Sequence, residues 1–161
     1  MHKTYLRLLV LTLSFAAVPV ANVAAQSVAQ PAPAAKSSVD WINSYRTARK
    51  KGTAQERPVF LFVTSEGCSY CKKMERESLK DKTVIKKLRT NFVPARLKLD
   101  PESQLARDLK VTMFPTTVII APDGKIVDYV RGYMSDRKLT DCISKALKSE
   151  KLALKADKKT R

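Results

Sequence analysis

The sequence predicts an α/β fold in which helices flank both faces of a four-stranded mixed β-sheet. Three observations predict it. The first is Pro58-Val59-Phe60-Leu61-Phe62-Val63-Thr64, a short β-branched and aromatic run that reads as a buried strand. The second is the order of elements, in which helix, strand, helix, strand and helix precede a β-hairpin and a last helix. A strand-helix-strand unit pairs its strands in parallel and a hairpin pairs them antiparallel, so the sheet is mixed. The third is Glu66-Gly67-Cys68-Ser69-Tyr70-Cys71-Lys72-Lys73, two cysteines two residues apart where the apolar strand gives way to a helical run.

The 161 residues hold one domain of ordinary size with extensions at both ends. Residues 1–25 read as a secretory signal peptide. His2, Lys3 and Arg7 make a basic start, and Leu8 to Val18 is an apolar core too short to span a bilayer. Val23-Ala24-Ala25 supplies small residues for cleavage before Gln26. A retained N-terminal anchor is the alternative. Residues 26–38, with Pro31 and Pro33, read as a Pro/Ala-rich linker. The folded domain is expected over 39–148 and a basic tail over 149–161.

Within the domain, Asp40 reads as the cap of a helix carrying Trp41, Tyr45 and Ala48 on one face, with Gly52 as its stop. Lys72 to Leu79 contains no Gly or Pro and consists mostly of good helix formers, which predicts a helix starting at the first cysteine. Asp81 to Leu88 is a further helical piece with Val84, Ile85 and Leu88 inward. Phe92 to Leu99 alternates from Ala95 onward and reads as a strand ending at Asp100-Pro101. Glu102 to Lys110 is a short helix burying Leu105 and Leu109. Thr116 to Ala121 and Ile126 to Val130 form a hairpin across the turn Pro122-Asp123-Gly124-Lys125. Ser135 caps a last amphipathic helix running to about Leu147.

Chemistry concentrates at the cysteine pair. A helix that starts at Cys68 aims unpaired backbone N–H groups and the positive end of its dipole at that sulfur, which favours a thiolate. Cys71, one turn on, lies within the roughly 4.4–6.8 Å Cα separation of a disulfide. A bridge between them closes almost no loop and removes little unfolded-state entropy, so the placement argues for redox exchange rather than for a structural staple. Cys142 shares a helical face with Leu139, Ile143, Ala146 and Leu147, and reads as a small buried hydrophobe or as a third redox thiol. The formal charge is +16, or +14 once Lys3 and Arg7 leave with the signal peptide, 29 basic against 15 acidic residues. Such a surface is either plain solvated charge or a weak contact for an anionic membrane surface or acidic proteins. No base-stacking or groove-reading motif is visible, so nucleic acid is not an expected partner.

With these residues in place, the stretch from about Val39 to Leu147 resembles the thioredoxin superfamily, and within it the thioredoxin-like proteins of the bacterial cell envelope, here with a C-S-Y-C active site. The resemblance rests on the strand before Gly67-Cys68-Ser69-Tyr70-Cys71, on Phe114-Pro115-Thr116-Thr117, on Pro122-Asp123-Gly124-Lys125 and on Gly132 before the last helix. It implies a thioredoxin-like fold. It implies further that Cys68 is the nucleophile, Cys71 the resolving cysteine and Pro115 a cis-proline. The backbone before that proline, at Phe114, would then pair with an extended substrate beside the redox-active disulfide. Thioredoxins proper differ in having tryptophan at the place of Gly67, Gly-Pro at Ser69-Tyr70, and a buried aspartate at Phe62. Glu66 is then the nearest carboxylate, either a proton relay acting through water or an exposed loop charge. Tyr70 either shapes substrate contact or is a partly exposed spacer. Lys72 and Lys73 favour a thiolate at Cys68 while Glu66 opposes it.

The expected function is that of a periplasmic thiol–disulfide oxidoreductase acting on protein thiols and disulfides. Resemblance to envelope relatives favours a reductant fed by an inner-membrane electron donor. An oxidase or isomerase is the alternative within the class, and a partner-binding module with idle cysteines is the alternative outside it. No cofactor is expected. Metal is not expected either, because the only histidine is His2 and two cysteines with one distant third do not make a structural zinc set; Cu(I) carriage by Cys68 and Cys71 is the chemical exception. The same lack of histidine after residue 25 excludes Cys-His hydrolase chemistry.

Overall fold

The computed structural model describes residues 38–159; the expected signal peptide and all of the linker but Ser38 lie outside the described residues. The elements are α1 (Tyr45–Ala54), β1 (Val59–Thr64), α2 (Ser69–Arg76), α3 (Lys82–Asn91), β2 (Val93–Lys98), α4 (Gln104–Asp108), β3 (Thr116–Ile120), β4 (Ile126–Arg131) and α5 (Asp136–Lys159), with a 3-10 turn at Ser78–Lys80. The strands form one sheet in the order β2-β1-β3-β4. β1 runs parallel to β2, with Phe62 beside Arg96, and antiparallel to β3, with Phe62 beside Thr117. β3 and β4 are antiparallel across the turn. This is the expected α/β fold with its mixed sheet.

β1 is the centre of the molecule. Val59 to Val63 are all fully buried, because helices cover both faces of the sheet and side chains alternate between them. Phe60, Phe62 and Ile119 pack with Cys71 and Met74 of α2, Val84 and Leu88 of α3, and Leu139 and Ile143 of α5. Val59, Leu61, Val63, Val118 and Ile120 pack on the other face with Ala48 of α1 and with Ala106 and Leu109 beside α4. Each large apolar side chain so enclosed contributes about 1.5–3 kcal/mol.

The structure corrects the beginning of the domain. No helix starts at Asp40. Ile42 lies in an extended bridge beside Ala95, its N–H donating to Pro94 O at 3.0 Å and its carbonyl accepting from Arg96 N at 2.9 Å. Hydrogen bonding along the edge of β2 outweighs local helix preference there, and Ser44 replaces Asp40 as the cap, its hydroxyl accepting from Thr47 N. Gly52 does not stop α1 but lies inside it. A Cβ there would meet Val59 Cγ2 at 2.8 Å and Arg57 O at 3.0 Å, so the glycine serves close helix–strand approach. One smaller correction follows. Leu105 is half-buried while Ala106 takes the core position in α4. α5 runs on into the basic stretch, to Lys159.

One buried group on the sheet lacks a partner. The Thr117 hydroxyl, beside Phe62 and Val130, makes no hydrogen bond among the described residues. A buried, unpaired hydroxyl costs about 1–3 kcal/mol, so Thr117→Val, which keeps the shape, is expected to raise the stability by up to that amount. A urea denaturation midpoint that moves upward with unchanged slope checks it.

Candidate functional site

The site is built where β1 ends and α2 begins. After Thr64 the chain turns through Gly67, whose φ of 68° lies in the left-handed region that glycine adopts without steric cost. Cys68 then caps α2, its Sγ accepting from Cys71 N at 3.1 Å. The first turn of α2 carries no acidic residue, so the charge at this helix end is not cancelled from within the helix. Cys68 and Cys71 are joined by a disulfide with a Cα separation of 5.3 Å. Cys71 is buried with Met74, whereas Cys68 is partly exposed. One sulfur therefore faces solvent and the other faces the core.

The Phe114–Pro115 peptide bond is cis. Pro115 immediately precedes Thr116, which pairs with Val63 near the end of β1, so the cis bond lies at the same end of the central strands as the disulfide. Phe114 is half-buried and packs against both core clusters. The segment is pinned by Thr116 Oγ1, which donates to Met113 O at 2.7 Å, and by Gly132 N, which donates to Pro115 O at 2.7 Å. Tyr70, 61% exposed between the cysteines, and Met113, 52% exposed beside Phe114, are two of the three large apolar side chains that stand in solvent among the described residues.

A groove of about 470 Å³ opens beside Cys68, lined among others by Glu66, Lys72, Glu75, Arg96 and Lys98. Glu66 lies in it, but its side chain is 86% exposed and ion-paired with Lys98. The Lys98 hydrogen bond and charge hold the Glu66 carboxyl below the usual carboxylate range, which makes it a weaker proton acceptor. Sequence reasoning missed Glu75 and Arg96, which meet at 3.5 Å across the groove. Glu75 was within reach, because it stands four residues after Cys71 on the same helix. Arg96 was not, since its place depends on the β1–β2 register.

Cys142 does not join the site. It is half-buried on α5, packed against the core, with Sγ 3.5 Å from Asp128 Oδ2. Burial first, and the Asp128 carboxylate second, push its thiol up to about 12. The folded chain thus keeps this proton at pH values where the unfolded chain has released it. Its contribution to stability is complete below about pH 8.5 and is lost as pH rises toward about 12. In the oxidised chain, alkylation of Cys142 by iodoacetamide at pH 8 is expected to be on the order of 1000-fold slower than that of a free thiol, and Asp128→Asn is expected to speed it. Labelling followed by mass spectrometry checks both.

Comparison with known proteins adds the following. A family model described as a thioredoxin-like domain matches residues 45–147. A solved thioredoxin from Thermus thermophilus is similar at 26% identity, covering 70% of this chain and 90% of its own, with a TM-score of 0.64. A DsbH oxidoreductase is similar at 20% identity, covering 76% and 94%, with a TM-score of 0.60. The C-terminal domain of Neisseria meningitidis DsbD is similar at 15% identity, covering 63% and 92%, with a TM-score of 0.55. These last two likenesses speak to fold alone. An uncharacterized Caenorhabditis elegans protein is 29% identical over 99 residues, 55% of this chain, and the match spans only 13% of that relative's length.

Proposed function

The chain belongs to the thioredoxin-like domain family, and from that premise we propose that it is a thiol–disulfide oxidoreductase working on protein thiols and disulfides. The observation that carries the reading is the bonded pair at the end of α2, with Cys68 partly exposed and Cys71 buried. A substrate disulfide can be approached at Cys68 and not at Cys71, so Cys68 is the nucleophile and Cys71 the resolving thiol. Attack by Cys68 makes a mixed disulfide; attack by Cys71 on the Cys68 sulfur closes the internal bridge and releases the substrate thiol. The N–H of Cys71 that meets Cys68 Sγ is a ready donor to the Cys68 thiolate in the reduced state. Tyr70, Met113 and the backbone at Phe114 and Pro115 form the surface on which an extended substrate segment rests.

The protein acts after export, in the periplasm, as a reductant supplied by an inner-membrane electron donor. The N-terminal charge and apolar pattern support export, and resemblance to envelope thioredoxin-like proteins supports the direction. Among the described residues no helix is long and apolar enough to cross a membrane.

Two outcomes test this. Cys68→Ser is expected to abolish disulfide exchange, by about 1000-fold or more, whereas Cys71→Ser is expected to hold substrate as a stable mixed disulfide on Cys68, both read by gel shift and mass spectrometry. Equilibration with dithiothreitol buffers is expected to place the Cys68–Cys71 couple near or below about −250 mV. A value near or above about −180 mV would reverse the direction to oxidase or isomerase, and a bridge that never exchanges would leave a binding module.

A further inference from the structure

The groove beside Cys68 does not end at the Glu75–Arg96 pair. A second groove, of about 670 Å³, is lined by Val39, Trp41, Leu79 and Ile85, with Arg76 and Lys80 beside them. Glu75 and Arg96 line both grooves, so the two adjoin at that ion pair. Together they make a trough that begins at the exposed sulfur.

One wall is α2 and the turn after it. Lys72 and Arg76, four residues apart, share a helix face, and Lys80 follows in the 3-10 turn. All three are exposed. The other wall is β2, where Arg96 and Lys98 stand on the same side of the strand. Five cations thus line the trough with two carboxylates, and both carboxylates are engaged, Glu66 by Lys98 and Glu75 by Arg96. Among the described residues no carboxylate forms an ion pair with Arg76 or Lys80. The lining also changes along its length. Thr64 and Ser65 lie near Cys68, whereas Val39, Leu79 and Ile85 line the second groove with the Trp41 ring, over which Arg96 sits 6.0 Å from the centroid.

A small anion would meet the cations and leave the apolar lining bare, and a purely apolar ligand would leave the cations unmatched. A peptide that alternates carboxylates with apolar side chains meets both. From Lys72 to Lys80 is about 12 Å at a helical rise of about 1.5 Å per residue, the length of about four extended residues. We propose that the trough from Cys68 past the Glu75–Arg96 pair to Trp41 takes an acidic segment of the substrate protein, with apolar residues between its carboxylates. The proposal rests on the oxidoreductase reading and deepens it by naming the substrate class. A cleft lined by one sign of charge raises the local concentration of such a segment and speeds its encounter with Cys68.

The test uses the full chain and peptides bearing one cysteine, blocked as the neutral 2-thiopyridyl disulfide. Glutamate and leucine alternate on both sides of that cysteine, and the control peptide has glutamine for glutamate. With the reduced chain, release of 2-thiopyridone is expected to be about tenfold faster or more for the acidic peptide at about 0.01 M salt. The two rates are expected to converge at about 1 M, where screening is nearly complete. Arg76→Glu with Lys80→Glu is expected to abolish that ratio, which a general loss of activity leaves unchanged. Lys50→Glu with Lys51→Glu on α1, across the sheet, is expected to retain it. Trp41 is the only tryptophan of the chain, so its emission reads the trough directly. The acidic peptide with serine for cysteine is expected to shift that emission saturably in the oxidised chain, and the glutamine peptide is not.

Equal rates for the two peptides at low salt would overturn the proposal. So would loss of the ratio in the α1 variant, which marks net charge rather than the trough, or emission that responds to phosphatidylglycerol vesicles and not to the acidic peptide. A chain that releases 2-thiopyridone from neither peptide would overturn the oxidoreductase reading, and the proposed substrate with it, whatever the emission shows.

Discussion

The contact on which the rest of the structure depends is the hydrogen bond from Cys71 N to Cys68 Sγ, 3.1 Å long. It is a helix cap made by sulfur. An ordinary cap uses the oxygen of Ser, Thr, Asp or Asn to satisfy one of the unpaired N–H groups of the first turn. Here the same duty falls to an atom that can change its charge and its covalent partner. The cap ties α2 stability to the state of Cys68: a thiolate completes the helix end better than a neutral sulfur does. Everything behind the cap serves to keep it in place. Met74 and Cys71 anchor α2 in the core, Phe60 and Phe62 form the floor, and the Ser78 hydroxyl ties the next turn to Met134 O at 2.6 Å.

Around this cap the molecule separates apolar from charged functions. Tyr70 and Met113 place apolar surface in solvent near the sulfurs, where a partner segment gains by covering it. The groove on the other side holds oppositely charged pairs, Glu66 with Lys98 and Glu75 with Arg96. Exposed pairs of this kind contribute little stability, about 0–1 kcal/mol. Their value lies in keeping carboxylates close to the sulfur chemistry without leaving them unbalanced in a chain of formal charge +16.

The central strand, the cysteine helix, the hairpin and the last helix were legible in the sequence because each carries a local signal: an unbroken apolar run, a run free of Gly and Pro, a turn tetrapeptide, a serine cap. The Trp41–Ile42 segment was not. Its composition suits a helix, and its extended state is decided by hydrogen bonds to Pro94 and Arg96, some fifty residues away in sequence. Gly52 misled for a related reason, since its role is set by the approach of Val59 and not by the residues next to it. At the site, Cys68, Cys71, Tyr70, Phe114 and Pro115 came from motif and order. Glu66 was named for closeness along the chain, as a relay or an exposed loop charge, and it is mostly exposed and paired with Lys98, while Glu75 on α2 lines the same groove and pairs with Arg96.

The bridge at Ile42 has a consequence for how molecules of this chain meet one another. An unpaired outer strand is a template for another strand, and soluble proteins guard such borders. By hydrogen bonding to Pro94 O and Arg96 N, Ile42 occupies the middle of the β2 border, and Pro94 itself carries no N–H to offer a visitor. The opposite border, β4, bears Asp128 and Arg131, whose charges discourage pairing with a second strand. Sheet-to-sheet growth is thereby blocked at one rim by the chain's own extension and hindered at the other by charge. The extended segment before α1 covers part of an edge that would otherwise offer its backbone to another strand.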